Sequence, residues 1–131
     1  MASTRPRPLS PHLTIWRWGP HMVVSILHRA TGIALSIAGL GILTWWLMAL
    51  ALGPDAYATL TGAVHSPIGM VVLVGLTWSF FQHLLSGIRH LVMDSGGAFE
   101  LGINKTSAVL TIVGSLLLTA LVWAWFLGYF K

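Results

Sequence analysis

The sequence predicts an all-α integral membrane protein with three transmembrane helices, and two observations support this fold class. Of the 131 residues, only 8% are charged and 56% are hydrophobic, with a mean hydropathy of +0.82. Soluble domains carry about 25% charged residues, so this chain has too few polar groups to cover a globular surface. The apolar residues are concentrated in three long runs, each near the roughly 20 residues that a helix needs to cross a bilayer.

Charge and cysteine content exclude several classes of function. The net charge of +4 reflects a shortage of acids, and the basic residues are scattered, which argues against a nucleic-acid-binding surface. Cysteine is absent, so neither a disulfide nor a thiolate-held metal is available. A metal in this protein must therefore be held by histidine or arrive within a cofactor.

The first 20 residues, MASTRPRPLSPHLTIWRWGP, contain four prolines and three arginines. They have no apolar core followed by a small-residue cleavage site, which argues against a secretory signal. The absence of acids is shared with transit peptides, but the prolines and tryptophans favour an ordered arm at the membrane interface. We therefore interpret residues 1–131 as a single membrane-anchor domain that begins with an interfacial arm, residues 1–20.

Three spans are predicted after the arm, at about residues 21–52, 67–93 and 105–130. The first span ends at a Gly-Pro-Asp stop signal, and a proline at residue 67 is well placed to begin the second. A short polar loop with a Gly-Gly break precedes the third. The first run is longer than the hydrocarbon is thick, so its opening turns are expected in the interface or beyond it.

Lysine and arginine are distributed unevenly among the loops, and this asymmetry predicts the orientation. Four arginines precede or open the first span, and two basic residues flank the loop between the second and third spans. The loop between the first and second spans has none. The N-terminus is therefore expected on the cytoplasmic side, where the start of the first span meets the end of the second.

The second span ends in HLLSGIRH, residues 83–90. His83 is expected about 9 Å deeper than Arg89 at the membrane edge, and an ionisable residue at such depth is a functional candidate by default. Two interpretations stay open: a neutral histidine that bonds a neighbouring helix, or an axial ligand to haem iron, which imidazole suits. His90 points the same way as His83, so a second axial ligand would come from another helix or another chain.

The first span opens with SILHRATG, residues 25–32. Ser25 and Arg29 are four residues apart and share a helix face, which His28 shares in part. A hydroxyl and a guanidinium at the membrane edge are suited to bind a quinone carbonyl, and Arg29 or His28 is suited to pair with a haem propionate. The competing interpretation is that Arg29 only extends to the lipid headgroups.

Together, RPLSPHLTIWRW, SILHRATG and HLLSGIRHLVMD resemble the cytochrome b subunit of succinate dehydrogenase, the larger membrane anchor of respiratory complex II. The resemblance covers nearly the whole chain, and the H-R-x-[ST]-G and H-x-x-x-G-[IV]-R-H-x-x-x-D motifs occur in the expected order and spans. The proline-containing N-terminal motif is similar to the alphaproteobacterial and mitochondrial branch. In that branch a tyrosine commonly stands where this chain has Trp16.

The resemblance implies a role for each candidate residue. His83 would be the axial ligand of haem b and bind its iron, with a second histidine supplied by the smaller hydrophobic anchor subunit. His28, together with Arg29, would lie near a haem propionate. Ser25 and Arg29 would form part of the ubiquinone-reduction site near the iron–sulfur subunit, and Asp94 matches a family position linked to proton delivery.

The same resemblance implies chemistry that is shared among the subunits of succinate:quinone oxidoreductase. A flavoprotein subunit would oxidise succinate, and an iron–sulfur subunit would carry the electrons to ubiquinone at the membrane surface. This chain would not touch succinate but would anchor the soluble subunits in membrane lipid. The lack of a convincing presequence favours a bacterial inner membrane over a mitochondrial one.

Two alternative functions remain open from the sequence. One is a stand-alone small cytochrome b in which His28 and His83, from facing helices, bind one haem. Against it, His28 is expected nearer the interface than His83. The other alternative is a cofactor-free structural membrane anchor, which would be colourless on purification and would assemble normally without His83.

Overall fold

A computed structural model describes residues 17–128, a range that contains helices and no strands. The elements are α1 (Pro20–Ala34), a π-helical segment (Leu35–Gly39), α2 (Leu40–Leu52), α3 (Pro54–Val64), α4 (Pro67–Asp94) and α5 (Leu101–Phe126). Three helices in this range are long and apolar enough to cross a membrane. The predicted all-α fold with three membrane helices is therefore confirmed. Most of the predicted interfacial arm, residues 1–16, and the end of the predicted third span lie outside the described residues.

The first membrane helix is continuous from Pro20 to Leu52 and contains α1, the π-helical segment and α2. Its 33 residues span about 50 Å at 1.5 Å per residue, more than the roughly 30 Å of hydrocarbon. It begins where the extended backbone of Gly19 meets a proline in the first helical turn. The π-helical segment begins three residues after the end of the SILHRATG motif, and such segments are frequent at functional sites.

The connection between the first two spans contains a helix, α3, where the sequence analysis assigned only a loop. Gly53 separates α2 from α3 with φ of +100°, a conformation that glycine adopts without a steric penalty. Pro54 and Asp55 then occupy the first turn of α3, where a fixed φ and a negative charge both favour a helix. After α3, the Ser66 hydroxyl accepts a hydrogen bond from the Gly69 amide at 3.1 Å and caps α4.

The third membrane helix, α5, begins at Leu101, which is earlier than hydropathy indicated. Its first turn contains a glycine and a polar residue, Asn104, whose side-chain oxygen accepts a hydrogen bond from Arg89 of α4 at 2.7 Å. This contact between α4 and α5 stabilises the first turn of α5, which lies before the apolar run that predicted the third span. At the other end, Gly128 follows α5 with φ of +83°, a common way for a helix to terminate.

α4 lies at the centre of the fold and contacts α1, α3 and α5. Large apolar side chains are exposed along all three membrane helices, whereas the residues buried between helices are mostly small or polar. Small residues let membrane helices approach closely, polar side chains bond across the contacts, and large apolar side chains face lipid. The buried residues are Val24, Thr31, Ala49, Leu60, Ser79, Gln82, Ser86, Arg89, Ala108, Thr111, Ser115 and Thr119.

Candidate functional site

Three histidines from the two sequence motifs come together where α1 packs against α4. The rings of His28 and His83 are stacked, with centroids 4.0 Å apart and an angle of 11° between the ring planes. The ring of His90 lies 5.2 Å from that of His28 and is tilted by 55°. The expectation that His83 and His90 share a helix face fits these contacts, because both meet the same residue of α1.

The structure corrects one expectation about depth. His28 is expected from the sequence to lie nearer the membrane interface than His83, but the two rings are stacked face to face with centroids 4.0 Å apart, so their depths are similar. The reason is the position of the helix ends. His28 is eight residues after the start of α1 and His83 is eleven before the end of α4, which correspond to about 12 and 16 Å along the helix axes.

The imidazole of His83 is held by the backbone of α1. Its Nδ1 lies 3.1 Å from the carbonyl oxygen of His28 and 3.4 Å from the hydroxyl of Thr31. Because a carbonyl only accepts hydrogen bonds, we assign the proton to Nδ1, which donates it. The other ring nitrogen, Nε2, then carries a free lone pair, the form of histidine that binds metals.

A groove of about 610 Å³ lies beside this imidazole. Ile33 and Ile37 of its wall are 62% and 72% exposed, so the groove opens on the outer surface of the helix bundle. The wall combines apolar side chains with a guanidinium and two small residues, and the lining consists of His28, Arg29, Gly32, Ile33, Ser36, Ile37 and His83. Such a mixture can hold a flat apolar molecule that carries a charged edge.

The groove fits a haem by three of its own features. His83 offers Nε2 as an iron ligand, and the Nδ1 atom of His28 is buried without a hydrogen-bond partner. A side chain at Gly32 would occupy the space beside the His83 ring, since a Cβ there would lie 2.9 Å from Cε1. Within residues 17–128, no three histidine or acidic side chains are grouped to hold a metal ion. An iron bound by His83 would take its other ligands from a macrocycle and a partner.

The structure separates the two residues expected to bind quinone. Arg29 is exposed and lines the groove, whereas Ser25 is partly buried one turn earlier on α1 and does not line it. Asp94 ends α4 and is exposed. A quinone that contacts both Ser25 and Arg29 would therefore sit toward the start of α1, at the groove's edge.

Sequence reasoning missed the role of Arg89, which it used only to assign orientation. The side chain is 8% exposed and lies between α4 and α5. Its Nε donates to the Ser107 hydroxyl at 3.0 Å, and a terminal nitrogen donates to the Asn104 side-chain oxygen at 2.7 Å. The available signal was the spacing of Asn104 and Ser107, three residues apart and therefore on one face of a helix.

Replacing Arg89 with lysine should loosen the contact between α4 and α5. Lysine keeps the charge but cannot make the two-point contact of the planar guanidinium with Ser107 and Asn104. Hydrogen bonds to charged groups contribute about 1.5–3 kcal/mol each, so we expect a clear loss of thermal stability in detergent. Differential scanning fluorimetry would measure it, with Lys105→Arg on the exposed surface of α5 as the control. An unchanged melting temperature would contradict a structural role for Arg89.

A second polar contact between the same helices also escaped prediction. Ser115 of α5 donates a hydrogen bond to the Gln82 side-chain oxygen at 2.8 Å, and both residues are fully buried. Apolar periodicity cannot reveal this pair, because a single glutamine or serine lowers the mean hydropathy of a long apolar window only slightly. The contact fixes α4 against α5 one residue before His83, and so it helps to set the position of the candidate ligand.

Fold and groove together define a class of protein: an integral membrane helical protein that presents a histidine with a free ring nitrogen beside an outward-facing groove. Comparison with known proteins identifies the family. The family described as "Succinate dehydrogenase/Fumarate reductase transmembrane subunit" matches residues 3–122. The chain belongs to this family, as the two motifs and the three spans indicated.

Individual relatives agree with this assignment. The succinate dehydrogenase cytochrome b556 subunit of Paracoccus denitrificans is 41% identical over 115 residues, covering 88% of each chain. The subunit of the same name from Rickettsia conorii is 40% identical over 117 residues, covering 89% of this chain and 90% of its own. The mitochondrial cytochrome b560 subunit of Sus scrofa is 36% identical over 111 residues, covering 82% of this chain and 64% of its own.

Proposed function

We propose that this chain is the haem b-binding membrane anchor of succinate:quinone oxidoreductase and forms part of its ubiquinone-reduction site. The observation that carries the proposal is the His83 imidazole, whose Nδ1 is engaged by α1 while the ring borders the groove. The family supplies the overall reaction, and this histidine supplies a ligand for the cofactor. The names of the relatives, which are cytochromes b, support the same cofactor.

In this proposal Nε2 of His83 would hold the haem iron. An imidazole whose other nitrogen donates to a backbone carbonyl is fixed in one tautomer and is a more basic ligand. The smaller anchor subunit supplies the second histidine and covers the groove where it opens on the outer surface of the bundle. Bound haem b supplies a one-electron redox centre close to the quinone site.

His28 and Arg29 contact the polar edge of the haem. Nδ1 of His28 is buried without a partner, and the guanidinium of Arg29 lines the groove, so both side chains have hydrogen bonds to offer a propionate. Ile33 and Ile37 contact the apolar part of the ring. Gly32 lines the groove beside these side chains.

Ser25 and Arg29 are this chain's contribution to ubiquinone reduction. The flavoprotein and iron–sulfur subunits deliver electrons from succinate, and negative charge develops on the quinone oxygens as those electrons arrive. A guanidinium held beside an oxygen stabilises that charge without having to reorganise, and the Ser25 hydroxyl donates a further hydrogen bond. Protons taken up from the N-terminal side of the membrane complete the quinol.

The same proposal fixes orientation and location. The excess of lysine and arginine on one side puts the N-terminus, the end of α4 and the start of α5 in the cytoplasm, where the soluble subunits dock. The membrane is a bacterial inner membrane, in keeping with the bacterial relatives. Labelling of single cysteines introduced at exposed Ser95 and Tyr57 would test the orientation, since the two positions should face opposite sides.

The ring geometry argues against the stand-alone cytochrome. Two histidines that ligate opposite faces of one iron must each direct a nitrogen at the metal, at roughly 2 Å for an imidazole–metal bond. The rings of His28 and His83 instead stack in near-parallel planes 4.0 Å apart, and Nδ1 of His83 is turned to α1. This geometry supports a second ligand from a partner subunit.

The test is a reduced-minus-oxidised visible spectrum of the complex, purified mildly from its native membrane, with the co-purifying subunits identified. We expect a low-spin b-type haem together with a flavoprotein, an iron–sulfur protein and a second small membrane subunit. The same partners without haem would identify a cofactor-free anchor. Haem in the chain without those partners would identify the stand-alone cytochrome.

A further inference from the structure

Thr31 and Gly32, which follow Ala30 on α1, both lie beside the His83 ring. Thr31 is 2% exposed, and its hydroxyl donates a hydrogen bond to the Leu27 carbonyl at 2.7 Å. Because the single hydroxyl proton is used there, the oxygen lone pairs that remain can only accept. The nearest donor from another helix is Nδ1 of His83 at 3.4 Å, which also donates to the His28 carbonyl at 3.1 Å. Thr31 is thus a second, longer acceptor for the same proton.

Gly32 sets how closely the ring can lie against α1. A Cβ at this position would be 2.9 Å from Cε1 of His83 and 3.4 Å from Nδ1. Carbon atoms in favourable contact are about 3.5–4.0 Å apart, so any side chain at residue 32 would push the ring away from α1. Nδ1–H would then lose one or both of its hydrogen-bond acceptors, or the ring would rotate about the side-chain torsion angles of His83.

We infer that Thr31 and Gly32 are positioning residues for the His83 imidazole: Thr31 adds to its basicity and Gly32 fixes the plane and depth of the ring. The inference rests on the proposed function, since it concerns His83 as the haem ligand. Neither role requires contact with the haem or the quinone, although Gly32 also lines the groove. They act through the hydrogen bond at Nδ1 and through the space beside Cε1.

The physical consequence is a tuned redox potential. Each acceptor that Nδ1–H finds gives the ring partial imidazolate character, so that Nε2 donates more electron density to the iron. Such donation stabilises the ferric form. Removing the Thr31 acceptor should therefore favour the ferrous form and raise the midpoint potential, while the remaining bond to the His28 carbonyl keeps the ligand in place.

The first test replaces Thr31 with valine in the whole complex. Valine preserves the shape of the side chain but has no acceptor, so the ferrous-to-ferric ratio at a fixed potential should rise about threefold, or about 28 mV at 59 mV per tenfold for one electron. Potentiometric titration of the haem band would measure it. Thr31→Ser, which retains the hydroxyl, should restore the original potential. If valine disturbs assembly, Thr31→Ala provides a second variant without the acceptor.

The second test replaces Gly32 with alanine and uses Gly41→Ala as a matched control. Both glycines lie on the first membrane helix, but a Cβ at Gly41 meets nothing within 4 Å. We expect Gly32→Ala to weaken haem retention at least tenfold, in the range seen when groups that orient a metal ligand are removed. The electron paramagnetic resonance spectrum of the residual haem should also change. Gly41→Ala should behave as the unaltered complex.

The outcomes separate this inference from the proposed function. If His83→Ala leaves the haem intact, the ligand assignment fails, and Thr31 and Gly32 have no haem ligand to position. If His83→Ala removes the haem but the two variants at residue 31 that lack the acceptor keep the original potential, the role of Thr31 is wrong. Equal haem spectra and retention in Gly32→Ala and Gly41→Ala would overturn the role of Gly32.

Discussion

Replacing His83 with alanine should leave the complex in the membrane and remove its haem b, or at least lower the haem content more than tenfold. The imidazole is the only contribution of this chain to the iron in our proposal, and one histidine from a partner cannot by itself replace a pair of axial ligands. Within residues 17–128 neither neighbouring histidine is placed to substitute for it, because His28 presents its ring face to His83 and the ring of His90 packs 5.2 Å from that of His28. A pyridine haemochrome assay per mole of complex would measure the loss.

The matched control is His65→Ala. His65 is exposed at the other end of α4, where its ring bonds to the Thr61 carbonyl within its own segment. It lies about 27 Å from His83 along the chain direction at 1.5 Å per residue, too far to affect the groove. Haem content should be unchanged in that variant. A His83→Ala complex that keeps the visible spectrum of the unaltered protein would remove the ligand assignment and support the cofactor-free anchor.

Replacing Arg29 with alanine should reduce succinate-dependent ubiquinone reduction by tenfold or more, while succinate oxidation with a soluble artificial acceptor stays within about twofold of normal. Removing one preorganised donor from a site where negative charge develops typically costs 10²–10³ in rate, and a partner subunit that retains its own donors moderates the loss here. The two assays share the flavin and iron–sulfur steps and differ only at the quinone. Their ratio therefore isolates the contribution of Arg29.

Two further variants sharpen the Arg29 experiment. Arg29→Lys keeps the positive charge but not the planar pair of donors, and we expect it to recover only part of the quinone activity. Lys105→Ala removes an exposed positive charge near the start of α5, expected on the same side of the membrane. It should leave both activities unchanged. Equal losses in the two assays for Arg29→Ala would indicate an assembly defect and contradict a role at the quinone.

The arrangement of the site explains why a single helix pair can support two functions. α1 presents Gly32 and the exposed Arg29 to the groove and buries Thr31 against His83 of α4, so one short motif faces both the quinone region and the candidate ligand. The helical period makes this possible, because residues 29 and 31 are two apart and point to opposite sides of a helix. A substitution of Arg29 therefore need not alter how Thr31 and Gly32 position His83, and a substitution of Thr31 or Gly32 need not alter the function of Arg29.

Much of the fold was predictable from the sequence. Composition and the three apolar runs determined the class, because a bilayer admits only segments whose backbone polar groups are satisfied internally, and helices of this length do so. Hydropathy missed α3 and the first turn of α5. α3 depends on local turn chemistry at Gly53 and Pro54, and the first turn of α5 depends on the contact with Arg89.

The sequence by itself determined which side chains are chemically able to bind a haem or a quinone. These are a deep histidine, a second histidine and a guanidinium within two short motifs of a membrane protein. Only the tertiary structure decided that His28 and His83 lie at one depth and that α1 engages Nδ1 of His83. It also placed Thr31 and Gly32 against that ring and buried Arg89 between α4 and α5. The physical reason is that helical periodicity fixes which residues share a face of one helix, whereas relative depth and ring contact depend on how two helices pack.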